Sequence, residues 1–109
     1  MSKLSALLKL AEMIEGHEVQ PGDCEPFKVG TAYLIRTVTH YAVGRLVYYE
    51  NGFMVLSDAS WVADTGRFHD ALKSGDLNEV EPFIGKQIIN TSAIIDATEW
   101  THKLPAEQK

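Results

Sequence analysis

The stretch VGRLVYYENGFMVLSD, residues 43 to 58, leaves this chain little freedom. Two runs rich in aromatic and β-branched residues flank Asn51-Gly52. Asn-Gly between apolar runs is the strongest short-range hairpin signal, because both residues tolerate the left-handed backbone of a tight turn. Val43 to Glu50 and Phe53 to Asp58 are therefore read as the two arms of a hairpin. On the first arm Leu46 and Tyr48 point one way, while Val43, Val47 and Tyr49 point the other. Both faces are apolar. One face can fill a core, and the other requires a helix, a second sheet or a neighbouring subunit.

The remaining elements are arranged around that hairpin. Leu4, Leu7, Leu8, Ala11 and Ile14 form one apolar stripe, which predicts a helix from Ser2 to Glu15 with Ser2 as cap and Gly16 as stop. Residues 16 to 31 carry Pro21-Gly22, Pro26 and Gly30 and read as a connector. Tyr33 to His40 reads as a strand. Ser60 to Ala63 either prolongs or leaves the third strand. A short helix from Gly66 to Lys73 follows, capped by Asp64 or Thr65, with Phe68, Ala71 and Leu72 on its inner face. Ser74-Gly75-Asp76 ends it, and Leu77 to Phe83 reads as an irregular insertion. Two more strands, Gln87 to Asn90 and Ala93 to Trp100, meet at the turn Asn90-Thr91-Ser92. The tail beyond them is expected to fray. One domain results: helix 1–15, connector 16–31, small β-barrel 32–100, tail 101–109.

A chain of 109 residues fits a single domain and leaves little room for a second. No apolar run is long enough to span a membrane. Lys9, Glu12 and Glu15 interrupt the first apolar stretch, unlike a signal peptide. Cys24 is the only cysteine, so an internal disulfide and zinc-finger spacing are both excluded, and a cytoplasmic location is expected. The formal net charge of −5 argues against a general DNA coater. All three arginines, Arg36, Arg45 and Arg67, lie between residues 30 and 69, where they balance Glu50, Asp58 and Asp64. That clustering reads either as a local anion site or as salt bridges to Asp58 and Asp64.

The order helix, three-strand meander, insertion and two closing strands resembles an Sm-like small barrel, of five antiparallel strands. Gly44-Arg45-Leu46 is similar to that family's Gly-x-Leu, Phe53-Met54, Leu56 and Asp58 to its third strand, and IINTSAIID, residues 88 to 96, to its closing pair. The resemblance implies a ring that binds RNA. Its RNA-reading residues do not carry over, since Val55 follows Met54 and Asn90-Thr91 occupies the closing turn. The phrases IRTVTHYAVGRL, DASWVADTGRF and EVEPF resemble small phage and prophage proteins grouped as a domain of unknown function. That resemblance suggests a phage-encoded protein and transfers no site residue.

Enzyme motifs are missing: there is no Gly-rich phosphate loop, no His-Glu-x-x-His and no Cys/His cluster. His17, Asp23, Cys24 and Glu25 lack metal-ligand spacing, so no metal and no cofactor is expected. Two groups suit binding instead. Arg36, Thr37, Thr39, His40, Tyr41 and Arg45 supply phosphate-type donors and a ring. Trp61, Asp64, Thr65, Arg67 and Phe68 supply a second set, in which Trp61 and Phe68 serve equally well to seal the core. Together they suggest a non-enzymatic, homo-oligomeric protein that sequesters a nucleotide second messenger, of the cyclic oligonucleotide or cyclic ADP-ribose type. The competing readings are an RNA-binding Sm-like ring and a direct protein inhibitor or assembly factor.

Overall fold

Asn51 and Gly52 take φ values of 55° and 82°, the left-handed pair that a two-residue hairpin requires. They join β2 (Tyr41–Glu50) to β3 (Phe53–Asp64) in a computed structural model that describes residues 26–109. The helix expected over Ser2 to Glu15 and most of the expected connector lie outside the described residues. The other elements are β1 (Ala32–Thr37), α1 (Phe68–Ser74), β4 (Glu79–Pro82), β5 (Gln87–Asn90) and β6 (Ile94–Glu99), with a 3-10 turn at Thr91–Ala93. The protein is mainly antiparallel β. The sheet runs β4-β3-β2-β1-β6, and β5 pairs with the first half of β3 while β4 pairs with the second half.

Two register shifts between β2 and β3 bend this sheet. Val43 pairs with Ser60 but Arg45 with Ser57, so β3 carries an extra residue there, where Asp58 adopts a φ of 48°. Leu46 pairs with Leu56 but Tyr48 with Val55, so β2 carries the next extra residue. Bulges of this kind sharpen twist and bend a strand. Gly44 sits at the tightest point. A Cβ on it would lie 3.0 Å from the Cβ atoms of both Leu56 and Ala59, so even an alanine would force these neighbours to give way and a larger residue would overpack the bend.

The bulges also correct the simple alternation expected along β2. Tyr41 and Val43 face one cluster, with Leu34, Val62, Ala71, Leu77, Val80 and Trp100. Ala42, Leu46 and Tyr49 face the other, with Ile35, Met54, Leu56 and Ile89. Each well-buried Leu, Ile, Val or Met side chain contributes roughly 1.5–3 kcal/mol. Ala42, Val43 and Leu46 are all fully buried within one chain. Of the three covers expected for the second face of β2, helix, sheet or neighbouring subunit, the chain supplies the first two itself: α1, β4 and Trp100 cover one side, and the bent sheet covers the other.

Three further expectations are corrected, and one open choice, the length of the third strand, is settled. There are six strands among the described residues, not five, and no ladder joins β5 to β6, so the barrel is not closed by backbone pairing. The third strand continues to Asp64. The segment read as an irregular insertion contains β4, whose Pro82 terminates it. The tail expected to fray instead packs against the domain. Lys109 and Val80 exchange two backbone hydrogen bonds of 3.0 Å, and the His102 imidazole Nε2 lies 2.7 Å from the Leu72 carbonyl.

Candidate functional site

The connection from β1 to β2 places most of the residues singled out in the sequence. Thr37 clamps it: its amide and its hydroxyl both donate to the His40 carbonyl, each at 2.8 Å, and its Oγ1 accepts from the His40 amide at 3.2 Å. Thr37 is thereby buried as a structural residue, not exposed to a ligand. Thr39 Oγ1 and His40 Nδ1 stand 2.8 Å apart at the turn. Beyond it, successive residues of β2 diverge to opposite faces of the sheet.

On the first face, Tyr41 pairs across the ladder with Arg36, and Arg36 pairs across the next ladder with Asp96. Arg36 Nε donates to Asp96 Oδ1 at 3.2 Å, and Nη2 donates to Oδ2. This hydrogen bond first, and the carboxylate charge second, push the Arg36 pKa above its ordinary value, so the guanidinium stays charged. Helix α1 closes over these strands. Its Phe68 ring lies 5.9 Å from the Tyr41 ring at a 33° tilt. Arg36, Tyr41, Phe68, Leu72 and Asp96 bound a cavity of about 230 Å³.

On the second face, Trp61 is 40% exposed and pairs across the ladder with Glu81. Thr39, His40, Trp61, Glu81 and Phe83 line an open hollow of about 490 Å³. The far flank of Trp61 borders another hollow of about 420 Å³, with Glu79, Glu81, Gln108 and Lys109. The surroundings of Trp61 are acidic, which does not suit a phosphate.

The remaining expected residues join neither face. Asp64 Oδ1 accepts from the Gly66 amide at 2.8 Å, and its Oδ2 accepts from the Asn78 side chain at 3.4 Å. Thr65 is buried and donates to the Gly66 carbonyl at 2.8 Å. Neither caps α1: Arg67 occupies the cap position in an extended conformation, and no side chain bonds there. Asp64, Thr65 and Gly66 are thus a structural corner, and Arg67 is exposed and lines none of these cavities. Arg45 Nη1 donates to the Gly30 carbonyl at 2.9 Å. The expected salt bridges to Asp58 and Asp64 do not form. Among the described residues the ion pair is Arg36–Asp96.

Sequence reasoning missed Asp96, Glu81 and Phe83. Asp96 lies 60 residues from its partner, and only the β1–β6 register brings them together. Glu81 and Phe83 stood in the segment read as irregular. The alternation in Glu79-Val80-Glu81 was the available signal for a strand there. Among the described residues no cluster of His, Cys, Asp or Glu could hold a metal ion, and no helix is long and apolar enough to cross a membrane.

No family model matches the chain and no curated protein matches it, so the resemblance to small phage proteins rests on the quoted phrases alone. Among solved structures the chain is similar to a heptameric archaeal Sm protein, with 15% identity and a TM-score of 0.47. The match covers 65% of this chain and 87% of that one. A likeness at that level transfers neither site residues nor assembly.

Proposed function

We propose that the protein is a non-enzymatic binder that sequesters a nucleotide in the cavity between the sheet and α1. One observation carries this reading: Arg36, Tyr41 and Phe68, which come from β1, β2 and α1, border the same cavity of about 230 Å³. That space suits a single flat base, and both rings offer stacking surface. Asp96 engages Nε and Nη2 of Arg36, which leaves Nη1 as the donor toward a phosphate. Asp96 also holds the guanidinium in one orientation and adds an acceptor that a base amine can use. Asp96 shares the cavity with the Tyr41 and Thr98 hydroxyls but bonds to Arg36 and to neither of them, so no activated nucleophile is in place and retention without conversion is the expected outcome. The resemblance of three phrases to small phage proteins favours a host signalling nucleotide, of the cyclic oligonucleotide or cyclic ADP-ribose type. The sequence alone suggests Arg36 and Arg67 as phosphate anchors with Trp61 or Tyr41 as the stacking ring; this reading keeps Arg36 and Tyr41, adds Phe68, and leaves out Trp61 and Arg67, which do not border the cavity.

The test is a panel of such nucleotides, together with short RNAs, incubated with purified protein and recovered after denaturation. Intact nucleotide released from wild-type protein, and lost with Arg36→Ala, supports the reading. Chemical conversion of the nucleotide, retention of RNA alone, or no retention of either overturns it.

A further inference from the structure

Trp61 lies outside the proposed nucleotide cavity, and its surroundings suit the opposite charge. The indole stands on β3 with Glu81 directly across the ladder on β4. Glu79 borders the same hollow of about 420 Å³. Glu81 is held in place: the Gln108 amide donates to its Oε1 at 3.2 Å. Lys109 is the one cation on that rim, so the two carboxylates leave the hollow net negative. On the other flank, Phe83 and Pro82 add apolar wall around the same indole, in the hollow of about 490 Å³. Trp61 and Phe83 are 40% and 42% exposed, so both rings present surface to solvent in the same hollow.

We propose that this groove binds a small organic cation, an alkylammonium or quaternary ammonium group, seated on the Trp61 ring with Glu79 and Glu81 beside it. Charge complementarity selects this occupant. An indole face attracts cations through its quadrupole, and Trp is the best ring for it. Carboxylates at the ring's margin add Coulomb attraction, and apolar walls suit the methyl or methylene groups of an organic cation better than a hydrated sodium ion. A phosphate or a carboxylate ligand would meet Glu79 and Glu81 head-on. The inference is independent of the nucleotide reading, since Trp61 is not among the residues around the Arg36 cavity.

The experiment uses tetramethylammonium chloride titrated into the 109-residue chain at constant ionic strength, with sodium chloride as the balancing salt. The two indole N–H signals are followed by heteronuclear NMR, and Trp61→Phe assigns them. A saturable shift of the Trp61 signal is expected, with the signal of buried Trp100 unmoved. Glu79→Gln combined with Glu81→Gln should weaken the response roughly tenfold while leaving the fold's spectrum intact. An equal response to tert-butyl alcohol, a neutral compound of similar bulk, would show an apolar groove without cation selectivity and overturn the proposal. So would a Trp61 shift that follows protein concentration and ignores the added cation, because the groove would then be occupied by a second copy. The absence of any saturable shift overturns it as well.

Discussion

The cavity under α1 and the groove around Trp61 are built from adjacent residues and differ in almost every property. Tyr41 and Ala42 are neighbours in sequence, yet Tyr41 faces the first and Ala42 pairs with Trp61 on the side of the second. The first is small, roofed by a helix and bordered by an arginine already paired with an acid. The second is broad, open and bordered by two glutamates. What separates them is the pleat of β2, only one residue wide. Proximity in sequence is thus a poor guide to a shared site in a strand, where every step reverses the facing direction.

Substitutions can break that contrast or sharpen it. The largest effect should come from Gly44→Val, which destroys both regions at once. Its side chain would collide with Leu56 and Ala59, and overpacking at so tight a bend costs roughly 3 kcal/mol. Thermal denaturation should show the loss directly. A melting temperature close to wild type would mean the β2–β3 crossing is looser than described.

Next in size, Arg36→Ala should lower nucleotide retention roughly ten- to a hundredfold, the range for losing a charge-assisted hydrogen bond. The response of Trp61 to tetramethylammonium should not change. Because the Arg36–Asp96 pair is exposed, the melting temperature should hold. If both ligand responses fell together, the two regions would be coupled and not independent. Asp96→Asn should act in the other direction, with a gain in nucleotide affinity of roughly threefold as a negative charge leaves the rim. Calorimetric titration at two salt concentrations would check it, since the gain should shrink at the higher salt.

The smallest effect on either ligand belongs to Asp64→Ala. It removes the bond to the Gly66 amide and should cost about 1 kcal/mol of stability, read by chemical denaturation. Both ligand responses should be unchanged. A variant that folds normally and loses nucleotide would restore the corner to the binding site.

The hairpin was legible in the sequence because its information is local. Asn51-Gly52 needs no distant partner to specify a turn, and the strands around it carry their own β-branched and aromatic bias. The strand β4 was only faintly legible: Glu79-Val80-Glu81 alternates, but the run is short and its Pro82 and two glutamates are residues that strands disfavour. The bulges were hidden for a different reason. Gly44 signals a bend, but nothing places the extra residues on β3 near Asp58 and on β2 near Val47, and a single insertion reverses the facing of all that follows. Arg36 and Tyr41 were correctly grouped, as cross-strand partners in one hairpin. That Trp61 lies on the opposite face from them was not readable, because its facing depends on the register set by those bulges. Asp96 was invisible as a partner, because pairing between β1 and β6 spans most of the domain.

The two backbone hydrogen bonds between Lys109 and Val80 have a bearing on how this protein behaves among other chains. An unpaired edge strand is a template on which a foreign strand can add, the usual route from a folded β protein to an aggregate. β4 is protected from this by the tail laid along its outer side. Among the described residues β5 pairs only with β3, and β6 only with β1, and each carries an outward isoleucine, Ile88 at 68% and Ile95 at 57% exposure. Removal of the last few residues would therefore add a third adhesive edge to two existing ones. Solubility, more than folding, is the property that trimming this tail would change first.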